Sequence, residues 1–130
     1  MPSAGVVLRD AHFPGRAPIE AYGNGGFRFA GMSHRGSLLC FPDGIRAWRV
    51  TRVAELTAAA LEPVFSRAES LDFFLVGGGA DPFVLPEPLR ARFNVVPLSV
   101  DSMATGAAVR TYNILLAENR RVGAGLIAVD

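Results

Sequence analysis

At 130 residues and 13.8 kDa the chain fits a single domain over residues 1–130, large enough to bury about two-thirds of its extended surface without disulfides or metal. Half of the residues are hydrophobic and 19% are charged, which excludes a disordered tail, and the 14 Gly and 9 Pro follow no repeat, which excludes a fibre. Thirteen basic residues, all Arg and scattered along the chain, face twelve acidic ones for a net charge of +1; no basic stripe exists for nucleic acid, and the lack of lysine removes Schiff-base and Walker-type chemistry.

In chain order, Gly5-Val6-Val7-Leu8 before Arg9 and Asp10 is too short for a signal peptide, and no stretch nears the roughly 18 apolar residues of a membrane span. The chain is therefore expected to be neither exported by that route nor embedded. Asn24-Gly25, a pair that tolerates positive φ, marks a tight hairpin leading into the alternating Phe27, Arg28 and Phe29. A second hairpin is expected where Pro42-Asp43-Gly44 separates residues 37–41 from 45–50. Val53, Leu56, Thr57, Ala60, Leu61 and Val64 fall on one face of a helix that Pro63 kinks or restarts. Residues 71–76, apolar except for Asp72 and closed by Gly77-Gly78-Gly79, read as a strand buried on both faces.

Pro82, Pro86 and Pro88 keep the next segment irregular up to a short helix near residues 89–93, and a strand follows at 95–100. Asp101-Ser102 offers an N-cap for a helix over 102–118, whose small face of Ala104, Ala107, Ala108, Thr111 and Leu115 would pack closely on the sheet. Residues 122–129 end the chain as a strand. This order predicts an α/β domain, a mixed sheet covered on one side by helices with the N-terminal hairpins layered elsewhere.

The chemistry-bearing residues are few. Gly31-Met32-Ser33-His34-Arg35-Gly36 resembles a nucleophile elbow, but its second Gly comes one residue late and no helix follows, so a turn with an exposed Ser-His pair is expected and no catalytic residue is assigned. His12, His34 and Cys40 have no metal-ligand spacing, so no metal site is expected. As the sole cysteine, Cys40 forms no internal disulfide, which suggests a reducing cytoplasm, and its apolar neighbours predict a small core residue rather than a reactive thiolate. Gly77-Gly78-Gly79 could cradle an anion with its backbone N–H groups, yet it lacks the third spaced Gly of a dinucleotide loop, so no cofactor is expected. Arg110 and Asn113 share a helix face with Gly106, which makes Arg110 the leading functional candidate; the competing expectation, which we favour, is a structural pair with a carboxylate such as Asp101 or Asp81.

The block Arg110-Thr111-Tyr112-Asn113 within residues 103–122 resembles the signature of a small-domain family that contains the mitochondrial respiratory complex I assembly factor 3 and the adipogenesis-associated single-domain protein, with bacterial and archaeal members. Tyr22-Gly23, Gly25-Gly26-Phe27, Gly36-Ser37-Leu38-Leu39, Trp48 and Gly77-Gly78-Gly79 extend the resemblance over most of the chain. Val109 stands where many members have Cys, and Gly78 where they have Thr, so no role of that thiol or hydroxyl is carried over. The resemblance implies a three-layer α/β domain with a mixed central sheet and no established enzymatic activity. It also implies an accessory role binding a protein partner, peripheral to a membrane at most, in the building of respiratory or other membrane complexes.

Two functions are thus expected to compete: a non-catalytic accessory domain, or a small-molecule or anion site formed by Gly77, Gly78, Gly79, Thr105, Arg110 and Asn113 in an uncharacterised enzyme. A polar pocket converging on Arg110 would favour the second, and an exposed apolar patch rimmed by polar groups the first.

Overall fold

In the computed structural model, which describes residues 12–130, a two-residue strand β1 (His12–Phe13) precedes a small sheet built from two tight hairpins. Asn24 and Gly25 both take positive φ, 53° and 79°, as a two-residue turn of this hand needs, and they join β2 (Ile19–Gly23) to β3 (Gly26–Phe29). Ala30 and Gly31 repeat the geometry with φ of 50° and 74° and join β3 to β4 (Met32–Arg35). Residues 32–35 are therefore a strand rather than the expected turn, and His34, opposite Phe27, is buried rather than exposed. Its Nε2 lies 3.2 Å from the Ser37 carbonyl oxygen.

The main sheet has six strands in the order β1-β6-β5-β9-β7-β8, comprising besides β1 the strands β5 (Ser37–Phe41), β6 (Gly44–Trp48), β7 (Phe73–Gly77), β8 (Ser99–Met103) and β9 (Val122–Leu126). β5 and β6 form the expected hairpin at Pro42-Asp43, while β7 runs parallel to both β8 and β9. The helices are α1 (Glu62–Phe65), α2 (Glu87–Val95) and α3 (Thr105–Ala117). The chain passes from β7 to β8 through α2, then back past β7 to β9 through α3. Two crossovers of one hand in opposite directions place their helices on opposite faces. The sheet is accordingly covered by helices on both faces, not on one.

Alternation along the buried strands builds two cores. Leu39, Phe41, Phe74 and Val76 face Leu61, Val64, Phe65, Leu89 and Phe93. Leu38, Cys40, Leu75, Ala124 and Leu126 face Ala108, Val109 and Tyr112 of α3 and Ile19, Phe27 and Phe29 of the small sheet. The result is a three-layer α/β domain. On β9, Gly125 has no room for a side chain, because a Cβ there would come within 2.8 Å of the Trp48 ring.

Three local expectations shift. The spacing over residues 53–64 does not make one helix: a 3-10 turn at Val53–Glu55 is followed by turns and then by the short α1 with Pro63 in its first turn. The apolar positions Leu56, Leu61 and Val64 still point into the core, so the periodicity reported burial rather than helix. Helix α2 runs through Val95, which moves the expected strand at 95–100 to Ser99–Met103, and Asp101-Ser102 lies in that strand instead of capping α3. The residue at the cap is Ala104, with extended backbone and no side-chain cap bond.

The buried face of α3 is Thr105, Ala108, Val109 and Tyr112, turned from the expected small-residue stripe but sharing Ala108 with it. Ala108→Leu should overpack this face against β7, because the Ala108 Cβ already lies 3.1 Å from where a Cβ at Gly77 would stand. Denaturant unfolding should show a loss of roughly 1–3 kcal/mol.

Cys40 is fully buried beside the Tyr112 hydroxyl, and burial pushes its thiol up from 9.0 to about 12. Burial likewise raises Tyr112. The unfolded thiol ionises near 9.0 while the folded one stays protonated up to about 12. This group's contribution is therefore complete below its unfolded value and is lost as the pH climbs towards the folded one. Urea midpoints should fall across that alkaline window, and Cys40→Ala should lessen the fall.

Candidate functional site

The exit of β7 and the start of α3 meet, as the candidate residues require. Gly77 is pressed against α3, where a Cβ would stand 2.9 Å from the Thr105 Cα. The Gly78 N–H donates to the Met103 carbonyl at 2.8 Å, and Gly79, at φ 109°, donates its N–H to Thr105 Oγ1 at 2.9 Å. The Gly79 carbonyl accepts the Thr105 N–H at 2.8 Å, and the Gly77 carbonyl accepts the Ile127 N–H at 2.9 Å. Thr105 Oγ1, wholly buried, donates in turn to the Ile127 carbonyl at 2.6 Å. The loop donors that could have cradled an anion are thus spent on protein acceptors. Gly77, Gly78, Gly79 and Thr105 form a joint that ties β7, α3 and the end of β9.

Asn113 is also occupied. Its Nδ2 donates to the Ile19 carbonyl and its Oδ1 accepts the Ile19 N–H, both at 2.9 Å. The amide thereby reproduces the paired bonds of an antiparallel ladder and holds the edge of the small sheet to α3. Tyr112, one residue earlier, is buried with its hydroxyl 3.5 Å from the Ala17 carbonyl. Within the signature block these two side chains serve packing between layers.

Arg110 differs from its neighbours. It is exposed, and among the described residues it makes neither a hydrogen bond nor an ion pair; the pairing with Asp101 or Asp81 does not form. One turn further along α3 Ile114 is 55% exposed, and one turn back Gly106 is covered by the hydroxyl of Tyr22, itself 46% exposed. Tyr22, Gly106, Arg110 and Ile114 therefore line one outward strip. The spacing of 106, 110 and 114 could have flagged Ile114 from the sequence, but Tyr22 arrives only through the fold.

Two surface depressions, of about 290 and 310 Å³, lie one on the small sheet, where Tyr22 is among its lining residues, and the other between Phe83 and Asp101 beside the edge strand β8. No group of three His, Cys, Asp or Glu side chains converges as a metal site among the described residues, and no helix there is long and apolar enough to cross a membrane.

The whole domain has close counterparts. An uncharacterized protein of Rhodobacter capsulatus is 40% identical over 122 residues, covering 94% of this chain and 93% of that one. The crystal structure of an outer membrane protein from Bartonella henselae is 50% identical, with a TM-score of 0.87 over 91% of this chain and 99% of its own. The solution structure of the Rpa2829 protein from Rhodopseudomonas palustris is also 50% identical, with a TM-score of 0.82 over 92% of this chain and 88% of its own. The family match begins at Ile19, the residue that Asn113 holds, and ends at Ile127, the residue that Thr105 holds. With residues 19–127 matched, the chain belongs to the family described as protein of unknown function, DUF498/DUF598.

Proposed function

We propose that this domain is a non-catalytic accessory module that binds a protein partner through the outward strip of α3, with Arg110 as the anchor and Ile114 and Tyr22 beside it. The observation that carries the reading is Arg110: an exposed guanidinium without a partner among the described residues, placed between an exposed aliphatic and an exposed aromatic side chain. Arg and Tyr dominate the energetics of protein interfaces, and a planar fork recognises a carboxylate better than an ammonium does. The matching surface is an acidic side chain next to an apolar one. The resemblance to the complex I assembly factor family makes subunits of respiratory or other membrane complexes the first partners to test, met from the cytoplasmic side. The rival reading, an anion site at Gly77 to Gly79 with Arg110, loses support because those glycine amides already have acceptors.

Arg110→Ala should change the urea midpoint by no more than about 0.5 kcal/mol in stability, as for an exposed side chain outside any network; a loss several times larger would restore a structural role. The test of function is quantitative capture from native extract by wild type, Arg110→Glu and Ile114→Asp, followed by titration of the purified partner. Affinity should fall about tenfold or more in both variants, since a charge-assisted bond is worth roughly 1.5–3 kcal/mol. A partner held equally by all three proteins would defeat the proposal.

A further inference from the structure

The small sheet has a second face. Phe27 and Phe29 point into the core, so alternation turns Gly26 and Arg28 of β3 outward, and the register places Ala21 and Gly23 of β2 and Ser33 and Arg35 of β4 on the same side. These residues line the depression of about 290 Å³, together with Asn24 and the strand backbone. Its floor is Gly23 and Ala21, with Gly26 buried against the β4 backbone between them and Arg35. Its walls are the two arginines, diagonal neighbours in the β3–β4 ladder, a spacing of about 7–8 Å that long side chains span easily.

None of the ten lining residues is acidic, and neither Arg28 nor Arg35 enters an ion pair among the described residues. Arg28 donates from Nη1 to Ser33 Oγ at 2.9 Å, which holds the guanidinium over the sheet with its other N–H groups unspent. The Arg35 Nη1 folds back over the Asn24-Gly25 turn, 3.6 Å from where a Cβ at Gly25 would stand. Glu20 is engaged at the opposite end of the sheet, accepting the Gly31 N–H. The turn itself is fixed, since the Gly25 N–H donates to the Val129 carbonyl at 2.7 Å and the Gly25 carbonyl accepts the Gly36 N–H at 2.8 Å. Arg28 held by the Ser33 hydroxyl, Arg35 across from it and a floor of small residues make a concave cationic site.

We propose that the outer face of β2-β3-β4 binds a small ligand carrying a doubly charged oxyanion, a phosphate monoester or a dicarboxylate, between Arg28 and Arg35. Its two arginines lie on the opposite face of the small sheet from the α3 strip, with which the depression shares Tyr22. The volume sits at the lower end for a small-molecule site, which suits a compact ligand.

The test is an amide-resolved NMR titration at low ionic strength with inorganic phosphate and, separately, with malonate, each matched by sodium chloride of equal ionic strength. Saturable shifts confined to residues 21–28 and 33–35 are expected for at least one probe, and the tighter probe identifies the ligand class. Arg28→Gln and Arg35→Gln should each weaken that binding about tenfold, while Arg110→Gln leaves it unchanged. Ala21→Phe, which fills the floor and keeps both charges, should also weaken it. Shifts no larger than those with chloride, or binding that survives both arginine substitutions or the filled floor, would overturn the proposal.

Discussion

Replacing Thr105 with Val should cost about 2–5 kcal/mol, one of the two largest losses expected for a single change in this protein. The shape is kept, but the buried Gly79 N–H and Ile127 carbonyl lose the hydroxyl that satisfies both, and each buried orphan costs roughly 1–3 kcal/mol. Thr105→Ser retains the hydroxyl and should lose far less. Urea unfolding checks it: the midpoint should drop with an unchanged slope in the Val variant. A Val variant as stable as wild type would mean that the joint between β7, α3 and β9 does not depend on this side chain.

The second large effect is expected at Asn113. Its side chain carries the paired bonds to Ile19, so Asn113→Ala should cost about 2–4 kcal/mol, with two backbone groups of a half-buried strand edge left to water or to nothing. The loss should be local as well as global. Hydrogen exchange at the Ile19 amide should accelerate more than at Leu75 in the main sheet, because β2 is held to α3 at this point. Equal acceleration at both would show that the two sheets unfold as one unit.

Both residues were candidates for ligand binding on sequence grounds, and both turn out to tie layers together. The reason is physical. Proximity of the glycine loop to the start of the last helix follows from strand-helix alternation, which local pattern reveals. The acceptors that consume the loop's donors lie far along the chain: Gly79 meets Thr105 across 26 residues, Thr105 meets Ile127 across 22, and Asn113 meets Ile19 across 94. No window of sequence contains such pairs. Arg110 shows the converse, since Asp101 and Asp81 look available in the sequence and only the fold shows the guanidinium facing outward, away from both.

The same distinction runs through the fold. Asn24-Gly25 was legible because both residues accept positive φ at little cost, whereas Ala30 at φ 50° is held there by the strands on either side and gave no sign of a hairpin. Residues 53–64 misled because burial every three or four positions is met equally well by 3-10 turns laid over a sheet, and Pro63 then starts a new helix rather than kinking an old one. The continuous apolar run before Gly77 was unambiguous, since a strand paired on both edges and covered on both faces admits no polar position.

In the proposed function the signature helix divides its labour, with Thr105, Tyr112 and Asn113 turned inward to hold the layers and Arg110 with Ile114 turned outward for a partner. A photo-crosslinking amino acid at position 114, expressed in the native host, probes this division at the strip itself. A discrete protein adduct is expected, with a yield that falls about tenfold on adding Arg110→Glu, while the melting temperature of that variant stays at the wild-type value. No discrete adduct, or an adduct indifferent to Arg110, would contradict it.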